Sequence, residues 1–524
     1  MTHSMNNHPA IRISLFTALL VFFTACGGGS SSTGSATTPS GSGGTAALAG
    51  TGTVTFVHLN DSHAHLTEHK DLVRDPGAPN GYQVVIRGGL ARKATMIKTI
   101  RQETSAAVVM DLGDTFHGGV EALYTNGDAI VDPMNALGVD VGVPGNWDYA
   151  YGPIVTRERY ASLTAEELAM LSRIAGVTNP STPAKRPHWP CLAANVTYAQ
   201  PPGKAGQPFL PPTLLKDVGG VRVGIIGISS DIVPKMSSML AAGLRFLDGE
   251  AAHLELIQKQ AALLRGQGAQ LLVVISHLGI HKDRQLANDL PKGTVDVFFS
   301  GHTHESTAAP LETASGAWVV EPGDDGVIGR MDITMSQGKI VSRKWTLLAV
   351  DATIPEDSAM ADLVSKARAP FLALRVDMAV PNPLVTQKLR KPINTVVGQV
   401  QGLLHRRNAL ENPFNDAFTD ALRAYAGTNV AMSPGFRFDA VVGYEDGAVA
   451  DGNVTLEDLY RFFPAPYTPG RGHDHWRWPP APLRAAIDNH LFKGRIPTGW
   501  RMAWGLFRSG RNLGYHGIGR GQGQ

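Results

Sequence analysis

Apolar runs of strand length recur along this chain, and a short polar segment follows almost every one of them. Thr53 to Leu59 is a β-rich run, Leu90, Ala94, Ile97 and Ile100 repeat at helical spacing, and Ala106 to Met110 reads as a buried strand. Val139 to Val143, Val221 to Ile228, Leu271 to Ile275, Val295 to Phe299, Trp318 to Val320 and Ile328 to Met335 continue the alternation. This pattern predicts one sheet-based α/β domain over residues 51–350. Between Tyr151 and Cys191 an insertion carries Thr164 and Glu167 at capping-box spacing, which starts a helix that Gly176 ends.

The pattern changes near Ile354. A helical connector, residues 351–392, is expected to be helical from Asp357 to Arg375 with an interruption at Pro370, and Val380 to Leu384 is proline-rich. A smaller α/β domain over 393–500 follows. It should hold a helix at Pro413 to Ala426, a short strand at Val430 to Met432, a loop from Ser433 to Phe438, and a helix started by Thr455 and Asp458. Trp476, Trp478, Trp500 and Trp504 crowd the last stretch, acids nearly vanish after Asp488, and 501–524 is a Gly- and Arg-rich tail. The stretch after Thr468 reads either as a basic tail or as a segment out of register, and no function is assigned to it.

Composition narrows the function classes. With 524 residues, 43% hydrophobic, the chain can bury a large core, and a net charge of +2 without a Lys or Arg run gives no basis for binding a nucleic-acid polymer. His8 to Arg12 is weakly basic, Ile13 to Phe23 is an apolar core, and Thr24, Ala25 and Cys26 form a small-residue cleavage site. Residues 1–26 resemble a bacterial lipoprotein signal, with Cys26 as the lipidated residue and 27–50 as a Gly/Ser-rich tether. That implies a periplasmic protein held to a bacterial membrane, the outer membrane favoured; an ordinary secretory signal and a soluble secreted protein is the alternative. The other of the two cysteines, Cys191, reads as a small core residue.

The chemistry lies in the segments after the strands. Asp61 and His63 follow the first, Gly113 and Asp114 the next buried one, then Gly145 and Asn146, then His277, then Gly301, His302 and His304. Two aspartates, an asparagine and four histidines mix oxygen and imidazole donors, a set suited to manganese, zinc or iron in a paired site. In this order the segments resemble the motif blocks of the calcineurin-like metallophosphoesterases, specifically the secreted 5'-nucleotidase family, over residues 52 to 468. The resemblance implies a four-layer αββα sandwich followed by a smaller α/β 5'-nucleotidase-type substrate domain. It implies two divalent ions, manganese favoured: Asp61, His63 and His304 on one, Asn146, His277 and His302 on the other, and Asp114 bridging. A hydroxide held between them would attack a phosphorus or sulfur centre.

One departure bears on substrate. The nucleotidase pattern follows the ligand asparagine with a histidine and, three residues later, an aspartate, whereas this chain has Trp147 and Ala150. Such a dyad helps an alkoxide leave, and a thiol of pKa about 8.5 needs far less help. Trp147 and the Ser433 to Phe438 loop look more like the thiosulfohydrolase branch, which releases sulfate from a cysteine-linked sulfonate on a Sox-type carrier protein. Arg437 is the expected contact for an anionic substrate, Phe436 and Phe438 are substrate-slot or packing residues, and Trp147 is a site wall. His58, His65, His117 and His281 are expected around the site or at the surface and not on the metals. Thiosulfohydrolysis is the favoured expectation, a nucleotide phosphomonoesterase the alternative, and a catalytically silent binding lipoprotein the third.

Overall fold

The computed structural model describes residues 48–78, 81–175, 184–373, 389–407, 412–426, 429, 431, 437, 440–443 and 452–464. Cys26, Gly176, the strand expected at Val430 to Met432, Phe436, Phe438 and the tryptophan-rich end lie outside them. The described residues fall within one compact unit. Among the described residues no helix is long and apolar enough to cross a membrane.

Two sheets stack face to face. One has the strand order Lys339–Ala349, Val327–Ser336, Gly52–Leu59, Ala107–Asp111, Val141–Gly142, and the other Leu311–Glu312, Trp318–Val320, Val297–Ser300, Leu271–Ser276, Val221–Ile228, Thr213–Val218. Alternation of side chains along each strand makes the layers. Val54 and Phe56 from the first sheet meet Val223, Ile225, Val273, Ile275 and Phe299 from the second in a fully buried core. The intervening residues Val57, Leu59 and Val109 point outward, onto the helices Leu90–Glu103, Asp128–Leu137 and Ser358–Ala373. On the other side Ile226, Leu272, Val274 and Phe298 pack on the helices Glu250–Gly266 and Ile280–Asp289. The result is the four-layer αββα sandwich. Its central strands are buried on both faces, which is why they appear in the sequence as unbroken apolar runs.

The parallel strands fix the loops. Gly52–Leu59 runs parallel to Ala107–Asp111, with Leu59 opposite Asp111. Leu271–Ser276 runs parallel to Val297–Ser300, with Ser276 opposite Ser300. The segments after these strands therefore emerge at one end of the sandwich, side by side, where open α/β sheets hold ligands.

The structure corrects the sequence reading in several places. The helix Ser358–Ala373 continues through Pro370, where an interruption was expected, and Phe371 beyond the proline is buried. The run Val139 to Val143 pairs only over Val141–Gly142, because Asp140 instead turns its carboxylate onto the backbone N–H of Val109 and onto Arg101 and Lys216. The hairpin of Glu68–Arg74 with Tyr82–Gly88 and the edge strand Lys339–Ala349 escaped notice because charged and polar residues interrupt their apolar stretches. Thr164 and Glu167 do bond reciprocally at the start of Ala165–Ala175, and Thr455 with Asp458 does the same for Leu456–Phe462.

The C-terminal part packs Phe414, Phe418, Leu459, Phe462 and Phe463 into its own core. It meets the sandwich through an apolar cluster, in which Val120, Leu123 and Tyr151 pack with Leu389, Ile393 and Tyr460, and through polar contacts. Arg368 pairs with Glu121 at 3.1 Å and with Glu457 at 2.6 Å, Arg407 reaches Asp71 at 3.0 Å and Asp324 at 3.3 Å, and the Tyr124 and Tyr460 hydroxyls meet at 2.9 Å. Burial, and then the Glu457 carboxylate, push Glu121 up to about 7. Removing the guanidinium leaves the two close carboxylates with the more distant Arg461, 3.9 Å from Glu457, in its place. Arg368→Ala is expected to lower unfolding stability by about 3 kcal/mol at neutral pH, read by urea denaturation; a loss under about 1 kcal/mol would show that the pair contributes little.

Candidate metal centre

Seven side chains named from the sequence come together at the loop end of the sandwich. Asp61, His63 and His304 form one group and Asp114, His277 and His302 a second, with the donor atoms of each group within 4.8 Å of one another. His63 Nε2 and His304 Nε2 face each other at 3.2 Å, and Asp61 Oδ1 is 3.2 Å from His304 Nε2. Asp114 Oδ2 lies 3.4 Å from His277 Nε2 and 3.8 Å from His63 Nε2, so it faces both groups. Asp61 Oδ1 does so too, at 3.7 Å from His63 and 4.0 Å from His277. Asn146 is buried beside them, and its Oδ1 has no hydrogen-bond partner. An orphaned buried oxygen costs about 1–3 kcal/mol, and a cation would satisfy it.

The backbone is bent to achieve this. Asp61, His63, Asp114, His302 and His304 all adopt left-handed conformations, with φ between 42° and 87°. Such geometry is uncommon outside glycine and collects at functional sites. Gly145 must be glycine, since a Cβ there would sit 2.2 Å from Asp114 Oδ1. Ring orientation is set from behind: His277 Nδ1 meets Leu112 O at 2.5 Å and His63 Nδ1 meets His117 O at 3.0 Å, which leaves Nε2 of each for the centre.

Three buried carboxylates, none singled out from the sequence, hold the loops. Asp148 accepts from the backbone N–H of Asp114, Thr115, Phe116 and Gly145 at 2.8–2.9 Å. Asp283 accepts from the hydroxyls of Ser276 at 2.7 Å and Ser300 at 2.6 Å, tying together the two strand ends that deliver His277 and His302. Glu321 accepts from Thr303 Oγ1 at 2.5 Å and from the N–H of Glu305, which sets the turn carrying His304. The readable signal was the serine that ends each of those strands: a serine at a buried strand tip requires a partner.

The centre attracts positive charge. Burial opposes ionisation of Asp114, yet His277 and His63 draw it down to about 2; Asp61, under the same opposition, is held well below the carboxylate range by His304, His277 and His63. For His277 burial opposes a proton, but Asp114 and Asp61 lift it to about 10. The mixed imidazole and carboxylate donors and this field fit divalent ions of the manganese, zinc or iron type.

Around the centre, Trp147 donates its backbone N–H to Asp114 Oδ1 and stacks on His117, with ring centroids 4.7 Å apart. His117 is fully buried; burial first and Arg437 second push it down to about 3. Arg437, itself buried, thus lies within electrostatic reach of this wall. His58 is buried edge-on against Phe299 between the sheets, His281 is exposed on the helix Ile280–Asp289, and His65 belongs to another buried cluster with His69 and Asp325.

A four-layer sandwich with paired histidine–aspartate groups at its strand ends is a scaffold able to hold two divalent ions. Residues 54–306 match the model of the calcineurin-like phosphoesterase family. A snake venom 5'-nucleotidase from Naja atra is 27% identical over 332 residues, covering 60% of this chain and 56% of that protein. The chain thus spans about half the length of the curated relatives it matches. Among solved structures, the sulfate thiohydrolase SoxB of Thermus thermophilus superposes with a TM-score of 0.60 at 18% identity, and a 5'-nucleotidase precursor from the same organism with 0.58 at 23%. Each comparison covers 79% of this chain and 74% of the other, and both carry the same two-part fold.

Burial raises Asp283 from 3.8 to about 7. The folded protein then keeps a proton that the unfolded chain releases, so stability falls as pH rises through that window. Relative to Asp283→Asn, which cannot ionise, the wild type should lose about 1 kcal/mol per pH unit from pH 5 to 7 and level off above it. Denaturation curves at stepped pH check this, and a difference that stays flat would exclude an ionisable Asp283.

Proposed function

We propose that this chain is an exported hydrolase of phosphate monoesters, nucleotides first, using two divalent ions. The observation that carries the reading is the pair of buried triads facing a shared pair of carboxylates, with Arg437 of the C-terminal part near the same wall. The names of its curated relatives, 5'-nucleotidases among them, support a nucleotide substrate. Asp61, His63 and His304 would hold one ion, and Asp114, His277 and His302, with Asn146, the other, manganese being the first choice. Bound ions supply Lewis acidity and a water of lowered pKa.

The chain's own residues do the rest. Arg437 offers a planar fork to phosphate oxygens, and Trp147 with His117 forms an apolar wall that excludes bulk water from the ester. The backbone N–H of Trp147 fixes Asp114, and Leu112 O fixes the His277 ring. We place the protein in the periplasm, anchored through lipid on Cys26.

Trp147 and Ala150 favour a second reading, sulfate release from a cysteine S-sulfonate on a carrier protein. A thiolate departs without the acid that an alkoxide requires. The full-length protein, loaded with manganese, separates the two. Phosphate release from AMP with kcat/KM of at least about 10⁴ per molar per second, lost more than about 100-fold in His302→Ala, is the expected result. Sulfate release from an S-sulfonated cysteine peptide, with AMP untouched, would replace the first reading by the second.

A further inference from the structure

The cluster of His65, His69 and Asp325 lies outside the paired centre and is built from segments far apart in the chain. His65 follows the first strand, His69 sits on the strand Glu68–Arg74, and Asp325 lies in the loop before Val327–Ser336. All three are buried, and their donor atoms lie within 4.8 Å of one another. His65 Nδ1 is 3.1 Å and His69 Nε2 3.2 Å from the same oxygen, Asp325 Oδ1. We propose that these three side chains form a further divalent-cation site, with zinc as the preferred ion, separate from the paired centre.

The geometry carries this. Ligands about 2.0–2.1 Å from a tetrahedral ion stand about 3.3 Å from each other, close to the separations of both nitrogens from Oδ1. The rings stand 4.3 Å apart at 62°, so they approach that oxygen as two edges of a cage and do not stack. Two imidazoles and one carboxylate suit zinc and disfavour calcium and magnesium, which take oxygen donors. The second layer is present. The other carboxylate oxygen, Oδ2, has no hydrogen-bond partner, and the buried Lys93 Nζ lies 3.7 Å from it. Gly88 closes the cluster: a Cβ there would come 2.6 Å from Asp325 Oδ2 and 3.1 Å from His69 Cε1.

The place in the fold gives the site a role. His69 and Asp71 lie on one face of their strand, Asp324 adjoins Asp325, and Arg407 of the C-terminal part bonds both Asp71 and Asp324. An ion at the cluster would lock together the two segments on which that arginine docks. It would therefore be structural, and its loss would loosen the junction without touching the paired centre.

The test is a metal count. Full-length protein is stripped with a chelator, reloaded with zinc, desalted and measured by elemental mass spectrometry. Three equivalents per chain are expected for the wild type, and two for His69→Gln and for Asp325→Asn, with the fold checked by circular dichroism. Two equivalents in the wild type, or an unchanged three in both variants, overturns the proposal. Because Asp325→Asn strands Lys93 and can unfold the chain, a zinc-edge anomalous map of wild-type crystals gives a second reading: a peak enclosed by His65, His69 and Asp325 supports the site, and a map without one excludes it.

Discussion

Asp61 and Asp114 are buried within reach of each other, and their mutual repulsion there must be offset by positive charge. Much of the remaining structure serves that constraint. His277, lifted to about 10 by the two carboxylates, draws both of them down in return, and His63 and His304 act on them in the same direction. They can do so only if they stay within about 4 Å, since the attraction weakens with distance even where water is excluded. Five of the seven converging residues accept a left-handed backbone to stay there.

Strain of that kind persists only where neighbours over-determine it. Asp148 gathers four backbone N–H groups, Asp283 joins two strand ends, and Glu321 secures the turn that carries His304. Burial raises all three, to about 6, 7 and 8, so each gives up easy ionisation to remain where it is needed. Fully satisfied polar networks rigidify a site in this way. The sandwich beneath supplies the stiffness: Phe56, Phe299, Val273 and Ile275 are fully buried between the sheets.

The second part of the chain meets this rigid body through both apolar and polar contacts: Val120, Leu123 and Tyr151 pack with Leu389, Ile393 and Tyr460, while Arg368, Arg407 and the tyrosine pair add polar links. Arg437 brings a guanidinium toward the Trp147 and His117 wall.

Legibility in the sequence followed burial. Strands such as Leu271 to Ile275, covered on both faces, had to be continuously apolar, so their positions and the residues after them could be read one by one. The seven donors were visible because each comes after such a run. Lys339–Ala349 and the hairpin after Glu68 were not, since their half-covered strands mix charged and polar residues with only short apolar stretches such as Val84 to Ile86. Nor were Asp148, Asp283, Glu321 or the His65, His69 and Asp325 cluster, whose partners lie up to 260 residues apart in the case of His65 and Asp325. The sequence by itself determined which residues could be buried and which polar groups they would deliver. Only the tertiary structure decided which of those groups meet, because parallel pairing of strands distant in the chain sets the neighbours of every loop.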